Sequence, residues 1–144
     1  MSGFPAMAGR THHKTGRECV NVFIKDIFNE HPSLADRLVS VWGVAVEVMK
    51  PCVEMKPTRP LTLSLDDGTS EIKCVLFGFQ SYKHLADVSV GQSFLASGSV
   101  SEYRQELQIK CESLKIVKDP NFETLWINKV LYEKKERYKK EESQ

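Results

Sequence analysis

The feature that most constrains this chain is a long apolar run, Leu38 to Lys50, in which the alternation of side chains changes phase part-way along. Val39 and Val41 occupy the first phase, and Gly43 stands near the change. The second phase holds Trp42, Val44, Val46 and Val48. Successive side chains of a strand point to opposite faces, and glycine tolerates a bulge or a sharp coil. The pattern therefore predicts a long strand that bends and serves two sheets of a small barrel.

Four further segments alternate in the same way and are separated by turn residues. The dipeptide Asp67-Gly68 favours a tight hairpin between two of them, and a slip at Ser113 indicates a bulge in the last. The predicted strands are Leu61–Asp66, Glu71–Phe77, Gln92–Ser101 and Leu107–Ile116. In the second of these, Ile72, Cys74 and Leu76 share one face and leave Lys73, Val75 and Phe77 on the other.

Residues Phe79 to Val88 predict a short helix between the third and fourth barrel strands. Five strands with a helix after the third follow the order of the OB barrel, in which strands two and three and two hairpin loops form the oligonucleotide cleft. Here those loops are Lys50 to Arg59 and Ser101 to Glu106. We therefore predict an all-β, five-stranded OB-fold barrel with flanking helices.

The segments on either side of the barrel complete the expected organisation. Residues 1–18 form a flexible basic arm, because they hold several glycines and cations and little to bury. Residues 19–117 form the OB domain, in which Cys19 to Glu30 is a short strand or helical turn that braces the barrel and ends at His31–Ser33. Residues 118–144 form a C-terminal helix that binds a partner.

This helix opens at Asp119 as N-cap with Pro120 at the first helical position, and it runs to about Lys140. Its apolar side chains cover two arcs: Phe122, Leu125, Trp126 and Val130 on one, Ile127, Leu131 and Tyr138 on the other. One core-facing stripe does not contain both arcs, so we expect the helix to contact its own barrel and a partner, and we predict that the seven side chains of both arcs bind the partner. The alternative is one broad intramolecular stripe. From Glu133 onward, the charges are typical of a solvated face.

Composition excludes several classes of protein. The chain has 20 Lys and Arg against 19 Asp and Glu, so net charge provides no argument for a polyanionic partner. Four separated cysteines lack zinc or redox spacing, and His12 with His13 has no further ligand nearby. We expect reduced, buried thiols, no cofactor and no metal. No apolar run is long enough to span a membrane, and we expect a soluble intracellular protein.

Binding to single strands needs aromatic side chains that stack on bases beside cations that contact phosphates. The predicted platforms are Phe77 and Tyr103, and the predicted cations are Lys73, Arg104, Lys50, Lys56, Arg59 and Lys110. Phe77 has the alternative role of a core or rim residue. Trp42 shares a phase with Val44, so we expect it in the core, and Trp126 suits a helix interface better than a base.

A hydrolytic enzyme is the weaker alternative. Asp66, Asp67, Glu102 and Glu106 are carboxylates that a metal-dependent nuclease would need, but the DDGT run is explained by its turn. No nucleophile and base stand at catalytic spacing. We expect no enzymatic activity.

Several segments together resemble the N-terminal OB domain of the Stn subunit of the CST (Ctc, Stn, Ten) telomere complex, and more distantly the middle subunit of replication protein A. They are VFIKDI at Val22–Ile27, VWGVAVEV at Val41–Val48, DDGTSEIKCVLF at Asp66–Phe77, VGQSFLASGSVSEYRQELQI at Val90–Ile109 and DPNFETLWINKVLY at Asp119–Tyr132. The resemblance covers about residues 20–140. Phe77 stands where such proteins often have Trp, and the winged-helix region usual in Stn proteins has no counterpart here.

The resemblance implies a non-enzymatic OB subunit that pairs through its C-terminal helix with a smaller OB subunit, Ten, beside a Ctc- or Cdc-type large subunit. It implies binding of single-stranded telomeric DNA at Phe77 and Tyr103, protection of chromosome ends, and support of fill-in by DNA polymerase alpha-primase in the nucleus. Two alternatives remain open: a general single-stranded DNA-binding module like that of replication protein A, and a purely structural OB module.

Overall fold

The computed structural model describes residues 19–34, 37–50, 60–77 and 88–142, apart from the side chains of residues 32, 141 and 142. The elements are β1 (Cys19–Asn21), α1 (Ile24–Leu34), β2 (Leu38–Met49), β3 (Leu61–Asp66), β4 (Glu71–Leu76), β5 (Ser93–Tyr103), β6 (Glu106–Val117) and α2 (Phe122–Glu142). The predicted basic arm, the predicted helix after β4 and the loop from Pro51 to Arg59 lie outside the described residues.

The sheet runs in the order β1-β2-β3-β4-β6-β5, and a further pairing between β2 and β5 closes it. The hairpins are antiparallel, and β4 pairs with β6 in parallel over three residues. Strands β2 to β6 therefore form a closed five-stranded barrel. This confirms the predicted OB fold, and all five strands begin and end within two residues of their predicted limits.

Strand β2 serves two partners, as its change of phase predicted. Its first part, Leu38 to Val44, pairs with β5, and its second part, Val44 to Met49, pairs with β3. Gly43 lies at the crossing, where an added Cβ would stand 3.0 Å from the Leu65 Cβ. The register slips between Ala45 and Glu47, which leaves Val46 as an exposed bulge residue. Val46 therefore does not share the buried face of Trp42.

The barrel interior is filled by the inward phase of each strand. In β3 and β4 this phase comprises Leu61, Leu63, Leu65, Ile72, Cys74 and Leu76, all of them buried. Cys74 and Cys111 carry free thiols in this core, as expected, and burial raises the pKa of both, that of Cys111 to about 11. Cys19, by contrast, is exposed. The slip predicted at Ser113 appears as a shift in the β5–β6 register at Glu112.

The N-terminal brace contains both a strand and a helix. Strand β1 pairs with β2 in parallel, and α1 follows it. The break predicted at His31–Ser33 appears as a kink one residue earlier, at Glu30, where φ is −115°, and helical structure then continues to Leu34. Ile24, Ile27 and Leu34 are buried in the barrel core, so tertiary packing holds the last turn despite its proline.

The turn between β3 and β4 holds the start of α1 as well as its own hairpin. Gly68 has a φ of +89°, the left-handed conformation that the Asp-Gly pair predicted. The Asp67 carboxylate accepts hydrogen bonds from the backbone N–H of Thr69 at 2.9 Å and of Ile24 at 2.8 Å. The Thr69 hydroxyl accepts one from the Lys25 N–H. A carboxylate here satisfies free N–H groups at a helix N-terminus and complements its dipole.

Helix α2 covers the outer surface of the barrel near the β2–β5 pairing. The helix begins at Phe122, two residues after the predicted first position Pro120, and the Asp119 carboxylate accepts a hydrogen bond of 2.9 Å from the Asn121 N–H in the turn before it. Trp126 and Val130 are buried in a second apolar cluster with Phe23 and Trp42. Phe122 packs against this cluster and stacks on Trp126, with ring centroids 6.1 Å apart. The expectation that Phe122, Trp126 and Val130 contact a partner is corrected accordingly, because their own barrel already covers them.

The prediction for the charged end of α2 is also corrected. We predicted a solvated face from Glu133 onward, but part of this end contacts β1 and α1. Lys134 forms an ion pair of 2.7 Å with the buried Asp26 carboxylate of α1. Asn21 donates a hydrogen bond to Glu133, and the Tyr138 hydroxyl donates one to Glu30. These contacts arise because α2 is long enough to pass β1 and α1 after it leaves the barrel.

Candidate nucleic-acid interface

The outward phase of the second half of β2, of β3, of β4 and of β6 forms one continuous face of the barrel. Strand pairing puts Met49 beside Thr62, Thr62 beside Val75, and Val75 beside Lys110. A second row runs from Glu47 through Ser64 and Lys73 to Gln108. This face carries the side chains of strands two and three of the barrel, where OB folds bind oligonucleotides.

A groove of about 360 Å³ lies on this face and brings together the two predicted aromatic platforms. Phe77 follows β4 and is 55% exposed, while Tyr103 ends β5 and is 57% exposed. Both line the groove, as does Lys73. Val75 lines it too and is buried although it points outward. Two rings and an ammonium group around an apolar floor are the side chains that stack on bases and contact phosphates.

The hairpin between β5 and β6 presents Tyr103 at the edge of this groove. Tyr103 pairs with Glu106, and the two turn residues Arg104 and Gln105 have φ values of 53° and 68°. Both residues are left-handed, as in the two-residue turns that match strand twist. The Arg104 guanidinium carbon lies 5.2 Å from the centroid of the Tyr103 ring, a cation–π contact. The predicted pair Tyr103 and Arg104 therefore forms one unit.

The remaining predicted cations divide into two groups. Lys50 directly follows Met49 of the groove and is exposed, and Lys110 is exposed on the same outward face beside Val75. Neither is among the side chains that line the groove. Lys56 and Arg59 fall in the segment that the structure does not describe, and their role stays a prediction.

Sequence reasoning missed five groove residues: Met49, Pro60, Thr62, Val75 and Gln108. Thr62 and Gln108 could have been found, because each alternates with buried neighbours in a strand whose phase was known. Met49 could not, because the bulge at Val46 reverses the phase of the last residues of β2. Met49 is 59% exposed and adds a flexible apolar surface to the groove.

The carboxylates considered for metal chemistry do not converge. Asp66 accepts a hydrogen bond from the Gly68 N–H, and Asp67 binds the turn and α1. Within residues 19–34, 37–50, 60–77 and 88–142 there is no group of three or more possible ligands that could hold a metal ion. Neither helix of this part of the chain is long and apolar enough to cross a membrane.

On α2, one arc of apolar side chains remains uncovered. Ile127 and Leu131 are exposed and fall within one narrow arc at 100° per residue. Tyr138 falls in the same arc and is 42% exposed, but its hydroxyl is bonded to Glu30 of α1. Leu125 is 63% exposed on a separate arc, beside Tyr132. The helix therefore has one arc that faces the barrel and another that is exposed, as predicted. Leu125 was predicted on the buried arc and does not belong to it.

The barrel and its groove define a nucleic-acid-binding class of fold, and comparison with family models agrees. Residues 39–117, more than half of the chain, match the model for the OB-fold nucleic acid binding domain, and the chain belongs to this family. No curated protein matches it in sequence.

Solved structures show the same fold over most of the chain. A chain of the Stn1–Ten1 complex from S. pombe superposes with a TM-score of 0.70 at 18% identity, covering 85% of this chain and 95% of that one. A chain from yeast Stn1 and Ten1 gives 0.66 at 13% identity, covering 88% and 80%. A chain of a replication protein A heterotrimer bound to single-stranded DNA gives 0.64 at 14%, covering 81% and 94%. The resemblance to the Stn and replication protein A subunits is therefore confirmed at the level of the fold.

Proposed function

We propose that this protein is a non-enzymatic OB subunit that binds single-stranded DNA within a heteromer of the Stn type. One observation carries the proposal: Phe77 and Tyr103, far apart in sequence, are half-exposed and line one groove with Lys73. Exposed aromatic rings in a groove are costly unless a ligand covers them, and bases stack on such rings irrespective of their sequence.

The finer role is proposed from the resemblance to Stn proteins. The chain would pair with a Ten-like small OB subunit through α2, with a Ctc- or Cdc-type large subunit completing the complex. It would bind telomeric single strands in the nucleus, protect chromosome ends and support fill-in synthesis by DNA polymerase alpha-primase. Support for this comes from the shared fold of Stn1 in its complexes with Ten1 and from the exposed arc of α2.

The test is fluorescence anisotropy with labelled single strands, on the wild type and on Phe77→Ala combined with Tyr103→Ala. Each stack is worth roughly 1–3 kcal/mol, so we expect affinity to fall at least about tenfold. The control is Tyr132→Ala, which removes an equally exposed ring from α2. Unchanged affinity in the double variant, measured in the assembled heteromer, would refute the groove as the binding site.

A second set of strands separates the telomeric role from a general one. Preference for a telomeric repeat over a scrambled strand of equal length supports the Stn-type function, whereas equal affinity supports a module like that of replication protein A. Base contacts must provide any such preference, because stacking and phosphate contacts tolerate all sequences.

A structural role without DNA contact is the alternative that the near-neutral net charge of +1 favours. Under it, the exposed arc of α2 is the functional surface, and the groove variant assembles and binds DNA as the wild type does. The salt dependence of DNA binding distinguishes the DNA-binding role from the structural role. Phosphate contacts by Lys73 and Arg104 would make the logarithm of the DNA affinity fall linearly with the logarithm of the salt concentration.

A further inference from the structure

A second cleft, of about 490 Å³, lies on the same outward face but toward α1. It forms where the parallel pairing of β4 with β6 ends, since this pairing begins only at Lys73 and Gln108. The preceding residues of both strands flank the opening, and Phe28 of α1 lines it as well. The cleft therefore results from the way the barrel strands pair. It is a different depression from the aromatic groove, although Lys73 lines both.

The charge of this cleft is opposite to that of the groove. Glu47, Glu71 and Glu106 line it, all three are exposed, and their carboxylates have no ion-pair partner among the described residues. Among the described residues that line this cleft, Lys73 is the only cation. Three carboxylates within one cleft repel a phosphate backbone and attract a cationic ligand.

Two further side chains indicate that the cleft is built to hold something. Ser64 is only 5% exposed, it belongs to the outward phase of β3, and it lines the cleft. Its hydroxyl makes no hydrogen bond to another described residue, and it is not among the buried atoms that lack a partner, so it is open to the cleft. Phe28 is 45% exposed although α1 buries Ile24 and Ile27 in the core. A ligand with both donors and an apolar stem would satisfy both residues.

We propose that this cleft docks an arginine-containing peptide segment of a protein partner. A guanidinium group offers five donors in a fixed fork, which suits carboxylates from neighbouring strands and leaves an N–H for the Ser64 hydroxyl. Its planar face stacks on an aromatic ring, the role available to Phe28. The barrel would then bind a single strand at one end of its outward face and a basic peptide at the other.

The experiment uses the full chain and a fluorescein-labelled peptide of alternating arginine and leucine. Its control ligand is the same peptide with citrulline, a neutral side chain of the same shape, in place of arginine. We expect the arginine peptide to bind and to shift the backbone NMR signals of Phe28, Ser64 and Glu71, and the citrulline peptide not to bind. Glu71→Gln with Glu106→Gln should lower affinity at least about tenfold, as loss of close charge pairs does.

A matched pair of variants separates the cleft from general surface charge. Glu112→Gln with Glu123→Gln removes two exposed carboxylates elsewhere, and peptide affinity should stay within about twofold. Phe77→Ala with Tyr103→Ala should leave peptide binding intact, so failure of this proposal is distinguishable from failure of the DNA site. Equal losses in the two glutamine pairs would overturn the proposal. So would a single-stranded oligothymidylate that saturates the Ser64 and Phe77 signals together, since the cleft would then belong to the nucleic-acid site.

Discussion

At the scale of single residues, Gly98 shows how closely two strands of this barrel approach. It lies in the inward phase of β5, beside the register shift opposite Cys111. A Cβ placed there would overlap the Lys110 carbonyl oxygen and lie 2.8 Å from the Lys110 carbonyl carbon. Because these are backbone atoms, a side chain at residue 98 requires the two strands to move apart.

We therefore predict that Gly98→Ala destabilises the protein by about 1–3 kcal/mol, the usual cost of overpacking a filled core. Urea unfolding monitored by tryptophan fluorescence measures the change. Ser99→Ala on the same strand is the control and should fall within about 0.5 kcal/mol of the wild type. Wild-type stability for Gly98→Ala would show that β5 and β6 can separate here without cost.

At the scale of elements, the contact between α1 and α2 is polar where that between α2 and the barrel is apolar. Asp26 is 1% exposed, and its two carboxylate oxygens have separate partners. One accepts a hydrogen bond from the Phe23 N–H at 3.2 Å, and the other binds the Lys134 ammonium at 2.7 Å. The single carboxylate thus holds the entry to α1 and anchors α2 against it.

We predict that Lys134→Met lowers stability by about 1–3 kcal/mol, because it leaves the buried Asp26 carboxylate without its cation. The hydrogen bond to Asp26 raises the pKa of Lys134 above its ordinary value of 10.5. Because the pKa of Lys134 is higher in the folded protein than its ordinary value, the ion pair stabilises the fold fully below pH 10.5. This stabilisation is lost as the pH rises through the raised pKa. The difference between wild type and variant should therefore be constant from neutral pH to about pH 9 and shrink above pH 10.5.

Denaturant unfolding at several pH values measures this difference, with Lys135→Met as the control because Lys135 is exposed on the far side of α2. A variant that is as stable as the wild type at neutral pH would show that the ion pair only offsets the cost of burying its charges.

At the scale of the whole molecule, β2 divides the barrel surface between two tasks. Its first half presents Trp42 and Val44 to α2, and its second half presents Met49 to the aromatic groove. The bend at Gly43 and the bulge at Val46 separate these two surfaces. Under the proposed function, we therefore expect a partner on the exposed arc of α2 and a single strand in the groove to bind at the same time.

We predict that Ile127→Glu with Leu131→Glu prevents assembly with a small OB subunit, because both side chains belong to the exposed arc proposed as its interface. Size-exclusion chromatography with light scattering on the co-expressed pair measures the mass. Stability of the isolated chain should not change, since neither residue packs in its core.

Leu125→Glu is the matched control, because Leu125 is more exposed than Ile127 and Leu131 but lies on another arc of α2. It should assemble normally. Loss of the complex in Leu125→Glu alone would place the interface on the arc of Leu125 and Tyr132 instead.

The sequence alone determined those features that depend on neighbours along the chain. Alternation identified five barrel strands and put Lys73 and Phe77 on the outward face of β4, the Asp67-Gly68 pair identified a hairpin, and Asp119 marked the start of α2. Each of these rests on local rules, namely the period of a strand, the left-handed preference of glycine and the need to satisfy free N–H groups at a helix start.

Only the tertiary structure decided which distant residues meet. Closure of the barrel brought Tyr103 to the groove of Phe77, and the docking of α2 showed which of its two apolar arcs is buried. The bond of Asp67 to α1, the pair of Asp26 with Lys134 and the reversed phase after Val46 had no local signal either. Such contacts depend on how the elements pack in space. The spacing of residues in the sequence does not determine that packing, because an apolar arc can be buried equally well by its own barrel or by a partner.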